Sequence, residues 1–211
     1  MKRILSLMLA ALMVALVLCS CAANKGGNTS SAAAQDGASA VEQTESTAEN
    51  TKDILFTWKI KIDGVEYTLP FDFSELTAQG YAIDPKYDQD LPGHKYMIMG
   101  PTPKKDDLSL DVQFWNPTDD TKKTSECMIG QLSFSGRSKH EVILPGDFKY
   151  DALTLTVDDI IAKYGEPDEN IDSDDFTIIT YKQAVYSSIK FVVYKDEAKK
   201  DYGSLTLQNL V

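Results

Sequence analysis

Cysteine, histidine and basic residues are in short supply in this 211-residue chain, and each shortage closes off a class of function. Two of the three cysteines stand at positions 19 and 21, which leaves Cys127 without an internal disulfide partner. Histidine occurs only as His94 and His140, and no serine sits in the G-x-S-x-G setting that presents a hydrolase nucleophile. No glycine-rich phosphate loop is present. Lysine and arginine number 21 against 32 aspartates and glutamates, a net charge of -11. Phosphate backbones and anionic headgroups are repelled by such a chain, so a nucleic-acid partner is excluded. Aromatic residues are missing from the first 55 positions; the 2 Trp, 10 Tyr and 8 Phe all follow.

What stands at the beginning instead is Met1-Lys2-Arg3, an apolar run over positions 4–18 broken only by Ser6, and Cys19-Ser20-Cys21. A basic end followed by a short apolar run is a secretory signal, too short and wrongly flanked for a permanent membrane span. Leu18, Cys19 and Ser20 before Cys21 resemble the lipobox of bacterial lipoproteins, with a branched apolar residue three before the cysteine and a small one directly before it. Cys19 fits less well, because bulky Leu18 precedes it. Residues 1–20 are therefore read as a signal peptide and Cys21 as the lipid attachment site. Acyl chains contribute about 0.8 kcal/mol per buried CH₂, so two or three hold a protein to a membrane durably.

Residues 22–52 hold eight Ala, eight Ser or Thr, a Gly26-Gly27 pair and a single β-branched aliphatic, Val41. Such a composition buries too little apolar surface to offset the entropy of ordering it. Residues 21–52 read as a lipidated cysteine plus a disordered linker, with a reach of about 30 Å for a flexible coil of that length. A helix over 32–49 is the competing reading, but its apolar residues are nearly all Ala and offer no packing face.

Residues 53–211 carry the fold. Thr68-Leu69-Pro70-Phe71-Asp72-Phe73 and Ile143-Leu144-Pro145-Gly146-Asp147-Phe148 share Leu-Pro-x-Asp-Phe, 75 residues apart. Each follows an alternating segment and precedes a helical one, which predicts two related half-domains over 53–139 and 140–211. In the first, period-two alternation on either side of Asp63-Gly64 predicts a hairpin. A short helix over 73–79 and strands over 95–99, 108–115 and 127–134 follow. In the second, a strand over 140–144 leads to a helix capped by Thr156, with Val157, Ile160, Ile161 and Tyr164 on one face and Gly165 at its end. Strands over 176–181, 188–194 and 203–210 complete it. The expected architecture is α+β, two half-domains with a short helix or helix pair packed on an antiparallel sheet.

The run Ile-Ala-Lys-Tyr-Gly-Glu-Pro-Asp ending the second helix, then Thr180-Tyr181 and Ile189-Lys190-Phe191, resembles the repeat unit of the β-lactamase-inhibitor-protein-like and small outer-membrane assembly lipoproteins. The resemblance covers 140–211 and reaches the first half only through the repeat. It implies a helical pair leading into an antiparallel sheet, often in tandem, and protein binding or envelope scaffolding. It carries over no catalytic residue.

Chemistry is thin. Ser138 and His140 as a nucleophile pair would need a strained turn and an oxyanion hole, and the bland reading of two solvated histidines is preferred. Cys127 reads as a small buried hydrophobe. The acidic run 168–175 lacks the Gly and Glu positions of an EF-hand loop, where Ser173 and Ile179 stand, and reads as a solvated loop rather than a calcium site. No cofactor and no metal are expected. The expected protein is not an enzyme. It is a lipid-anchored protein-binding or envelope-scaffolding module on the extracytoplasmic face of a bacterial membrane, its partners being that membrane and another envelope protein or polymer. Trp115, Tyr186 and Tyr194, aromatics at strand ends, form the candidate partner surface. The alternative is an accessory solute-binding or hydrolytic lipoprotein, which a deep pocket holding a histidine beside Asp or Glu would favour.

Overall fold

A computed structural model describes residues 49–210, with side chains from Thr51 onward. The signal segment, Cys21 and the linker up to residue 48 lie outside the described residues. The first element, α1 (Glu49–Leu55), includes the last four residues that composition alone assigns to the linker. Next come β1 (Lys59–Ile62) and β2 (Val65–Thr68), joined by the expected turn. Asp63 and Gly64 both take positive φ, 51° and 84°, the combination that matches the right-handed twist of paired strands.

The chain continues through β3 (Phe71–Asp72), α2 (Phe73–Ala78), β4 (Asp90–Leu91), β5 (Lys95–Met97), β6 (Lys104–Lys105) and β7 (Leu108–Ser109). Then follow β8 (Asp111–Asn116), β9 (Lys122–Lys123), β10 (Met128–Ser135), β11 (Val142–Leu144), β12 (Phe148–Tyr150) and α3 (Val157–Tyr164). A meander of β13 (Glu169–Asp172), β14 (Phe176–Ala184), β15 (Ser187–Tyr194) and β16 (Ser204–Asn209) closes the chain. Helix α3 is built as expected: the Thr156 side chain accepts from the Asp159 N–H, Asp159 reaches back, and Gly165 ends it at φ 77°.

Two antiparallel sheets result. The smaller has the order β12-β11-β1-β2, and the larger β13-β14-β15-β16-β10-β8-β5, with β3 also paired to β10. Register stacks the apolar residues of the larger sheet into two rungs. One is Ile179, Phe191, Leu205 and Phe134; the other is Tyr181, Ile189, Leu207, Leu132 and Val112. All nine are buried, in one cluster with Ile60, Ile62, Tyr67, Val142 and Leu144 of the smaller sheet. Fully burying each aliphatic or aromatic side chain contributes about 1.5–3 kcal/mol. The Tyr150 hydroxyl donates to the Phe134 carbonyl across this core, and Asn209 Nδ2 to the Leu69 carbonyl.

The expected α+β half-domains are corrected on two counts. The fold is dominated by antiparallel strands, and its helices, six to eight residues long, are too short to cover a sheet; the buried face of the large sheet shares its core with the small sheet instead. The stretches assigned to separate halves also interleave. β1 pairs with β11, and β10 joins β8 to β16. The shared Leu-Pro-x-Asp-Phe words take different structures: after Leu69 the chain forms β3 and enters α2, whereas Pro145-Gly146-Asp147 is the hairpin turn between β11 and β12, with Gly146 and Asp147 at positive φ. One helix, α3, precedes the final meander where the resemblance implies a pair.

Adjacent residues of β16 test this two-faced sheet. Leu207→Ala is expected to lose about 2–5 kcal/mol in urea unfolding, and Gln208→Ala, on the opposite face, less than about 0.5 kcal/mol. Equal losses would contradict the register.

Candidate functional site

The side chains that alternate with the buried rungs point to the other side of the large sheet, where register orders them too. One lane runs across the strands as Gln113, Gln131, Gln208, Ser188 and Lys182; the next as Asp111, Ser133, Thr206, Lys190, Thr180 and Glu169. At about 4.8 Å per strand the second lane is about 24 Å long, and the lanes lie about 7 Å apart. Gln131 Nε2 donates to the Ser133 hydroxyl at 3.3 Å, and Ser133 meets Thr206 at 3.4 Å. The side chains of Gln113, Gln208, Ser188, Thr180 and Asp111 make no hydrogen bond among the described residues. Lys182 pairs with Glu169.

Aromatic residues flank these lanes on either side along the strand direction, and on the side of Phe176 and Tyr194 the next rung across the same face is Ile171, Ile178, Val192, Ser204 and Ser135. At one end Trp115 pairs across the sheet with Tyr96 and with Met128. Tyr96 on β5 and Tyr186 on the β14–β15 turn are separated by three intervening strands, yet their rings lie 6.2 Å apart. The sheet curls enough at this end to bring the two outward-pointing rings together. Tyr186 is 50% exposed and Tyr96 40%. At the other end Tyr194 pairs with Phe176, ring centroids 5.5 Å apart, and Tyr202 lies 6.2 Å beyond. Arg137 sits over the Tyr202 ring at 4.3 Å and donates from Nε to Asp201 at 2.8 Å. A hollow of about 540 Å³ opens on the second lane, lined by seven serines and threonines, among them Ser133, Ser204 and Thr206, together with Asp111 and Arg137. Loss of water around it pushes the Asp111 carboxyl above the usual carboxylate range.

Trp115, Tyr186 and Tyr194 therefore all border the open face, but at two separate ends. The residues between them went unremarked in the sequence, because Gln, Ser and Thr at alternate strand positions read as ordinary solvent contacts. Only the polar phase of each strand hinted at them.

His140 comes closest to a catalytic arrangement and fails in geometry. Its side chain is 2% exposed beside Asp63, not solvated as expected: Nδ1 lies 2.7 Å from Asp63 Oδ2 and Nε2 3.1 Å from the Ser109 carbonyl. The two ring nitrogens face Asp63 and Ser109, and neither faces the Ser138 hydroxyl, which accepts from the His140 backbone N–H. Asp63 Oδ1 also accepts from the Glu141 N–H, so the cluster ties the β1–β2 turn to the start of β11. His94 is an open surface pair with Asp119 at 2.8 Å. The acidic run is largely ion-paired: Lys52 to Asp168, Lys195 to Asp172 and Lys199 to Asp175. Among the described residues no group of three or more His, Cys, Asp or Glu is arranged to hold a metal. A neighbouring cleft of about 880 Å³, sharing Thr102 and Ser109 with the hollow, lies between segments 82–89 and 99–104, with Lys86, Tyr87 and Lys104 on its walls and Met99, 91% exposed, at its edge.

Comparison of the chain with family models, curated proteins and solved structures finds no match.

Cys127 is buried, as its apolar setting predicts, and its thiol donates to the Lys123 carbonyl at 3.1 Å. Desolvation pushes the thiol up to about 11. With the folded value above the unfolded one, its contribution to stability is complete below the ordinary thiol range and is lost as pH rises toward 11. Iodoacetamide at pH 8.5 is expected to modify the folded chain far more slowly than the urea-unfolded chain; equal rates would contradict burial of the thiol.

Proposed function

We propose that this protein is a lipid-anchored, non-catalytic binding module on the extracytoplasmic side of a bacterial membrane, engaging an envelope partner through the open face of its large sheet. The observation that carries this reading is the open face itself, hollowed beside Asp111, with side-chain hydrogen-bonding capacity left unused between two aromatic sides. Its supports are the lipobox at Cys21, the resemblance in the second half to envelope-scaffolding lipoproteins, and a His140 whose ring nitrogens face Asp63 and Ser109 rather than Ser138. The anchor and the acidic charge act together in this reading, since anionic headgroups repel the domain that the lipid holds near them. Exposed aromatic rings beside polar groups are the usual anchors of recognition surfaces.

A second reading, an accessory solute-binding or hydrolytic lipoprotein, draws on the 880 Å³ cleft. Its volume suits a small molecule, and Lys104, beside a Lys86 already paired with Asp84 at 3.0 Å, would favour an anionic one.

Photo-cross-linking in intact membranes separates the two. A cross-linker replacing Gln208 is expected to capture a partner, and one replacing Lys86 to capture none. Pairing the Gln208 cross-linker with Gln131→Arg should abolish capture, and Cys21→Ser should release the chain from the membrane. Capture only from Lys86, or from neither position, would overturn the proposal.

A further inference from the structure

We infer that the occupant of the open face is an uncharged, hydroxyl-rich polysaccharide strand laid along the strand direction of the large sheet, crossing both lanes. The inference rests on the binding face proposed above and names its ligand.

The order of chemistry along the face decides between classes of macromolecule. Protein partners are gripped by an apolar centre with a polar rim. Here the Gln and Ser/Thr lanes hold the middle, with Trp115, Tyr96 and Tyr186 on one side along the strands and Phe176 and Tyr194, joined by Ile171, Ile178 and Val192, on the other. A polysaccharide matches that order. Its regularly spaced hydroxyls can replace the water on unbonded groups such as Gln113, Gln208 and Ser188 without leaving any of them unpaired. Its C–H faces suit rings with an apolar body and a polar tip, such as Tyr96 and Tyr186.

Charge sets the second limit. Lys182 and Lys190 balance Asp111 and Glu169, so the lanes sum to zero on a chain of net -11. Anionic polymers are repelled by the domain as a whole, and cationic ones find no acidic lane to follow. The hollow supplies the strongest single contact. Asp111 has no partner among the described residues, and a carboxylate between hydroxyl side chains can accept from two neighbouring sugar hydroxyls at once. The binding is hydrogen bonding and stacking only; no covalent bond is made or broken.

The test is binding of the full lipidated chain, extracted in a zwitterionic detergent, to arrayed uncharged oligosaccharides, including chitohexaose and maltoheptaose, with a heparin oligosaccharide as the anionic probe. At least one uncharged oligosaccharide is expected to bind and heparin not to. Asp111→Asn and Tyr186→Ala, with circular dichroism to verify folding, should each weaken binding roughly tenfold. Glu66→Gln, exposed on β2 of the smaller sheet, should bind as the parent chain does. The inference is overturned if no uncharged oligosaccharide binds, if heparin binds better, or if both face variants bind as the parent does. Failure here with a protein captured from Gln208 in the membrane experiment removes the glycan and leaves the binding face standing; failure of both removes the face itself.

Discussion

Two apolar rungs across the large sheet are the constraint on which the rest of the structure depends. Ile179, Phe191, Leu205 and Phe134, beside Tyr181, Ile189, Leu207, Leu132 and Val112, come from strands β14, β15, β16, β10 and β8 in their spatial order. Because side chains alternate along a strand, burying these residues aims every neighbour at solvent on the other side. A slip of one residue in any strand would exchange the two sets. The core and the open face are thus one decision, made by register.

Much of the local structure was legible in the sequence because local rules govern it. Asp63-Gly64 needs two positive φ values, Thr156 and Asp159 cap each other, and Gly165 ends α3 where no side chain is wanted. The limits of β14, β15 and β16 follow alternation within a few residues. The organisation was not legible, because it rests on pairings between distant segments. Lys61 opposite Ile143, or Gln131 between Gln113 and Gln208, leaves no mark on either stretch alone. The repeated Leu-Pro-x-Asp-Phe was misleading for a physical reason: glycine in the second copy allows a turn at positive φ, and Phe71 in the first extends into a strand.

The candidate site divides in the same way. Trp115, Tyr186 and Tyr194 stood out as aromatics at strand ends, and all three border the open face. The lanes between them did not stand out, since each Gln, Ser or Thr is unremarkable until neighbouring strands line it up. His140 shows the converse. Its residue type suggested chemistry, but acceptors at both ring nitrogens make it a clamp between the β1–β2 turn and β11.

Hydroxyl-radical footprinting of the protein in intact envelopes, compared with the purified chain, tests the role of this face most directly. Protection of Tyr96, Trp115 and Tyr186 in the envelope, with Tyr87 and Met99 oxidised equally in both samples, is the predicted result. Protection of Tyr87 and Met99 alone, with the three aromatics unchanged, would contradict it and move the working surface to the cleft.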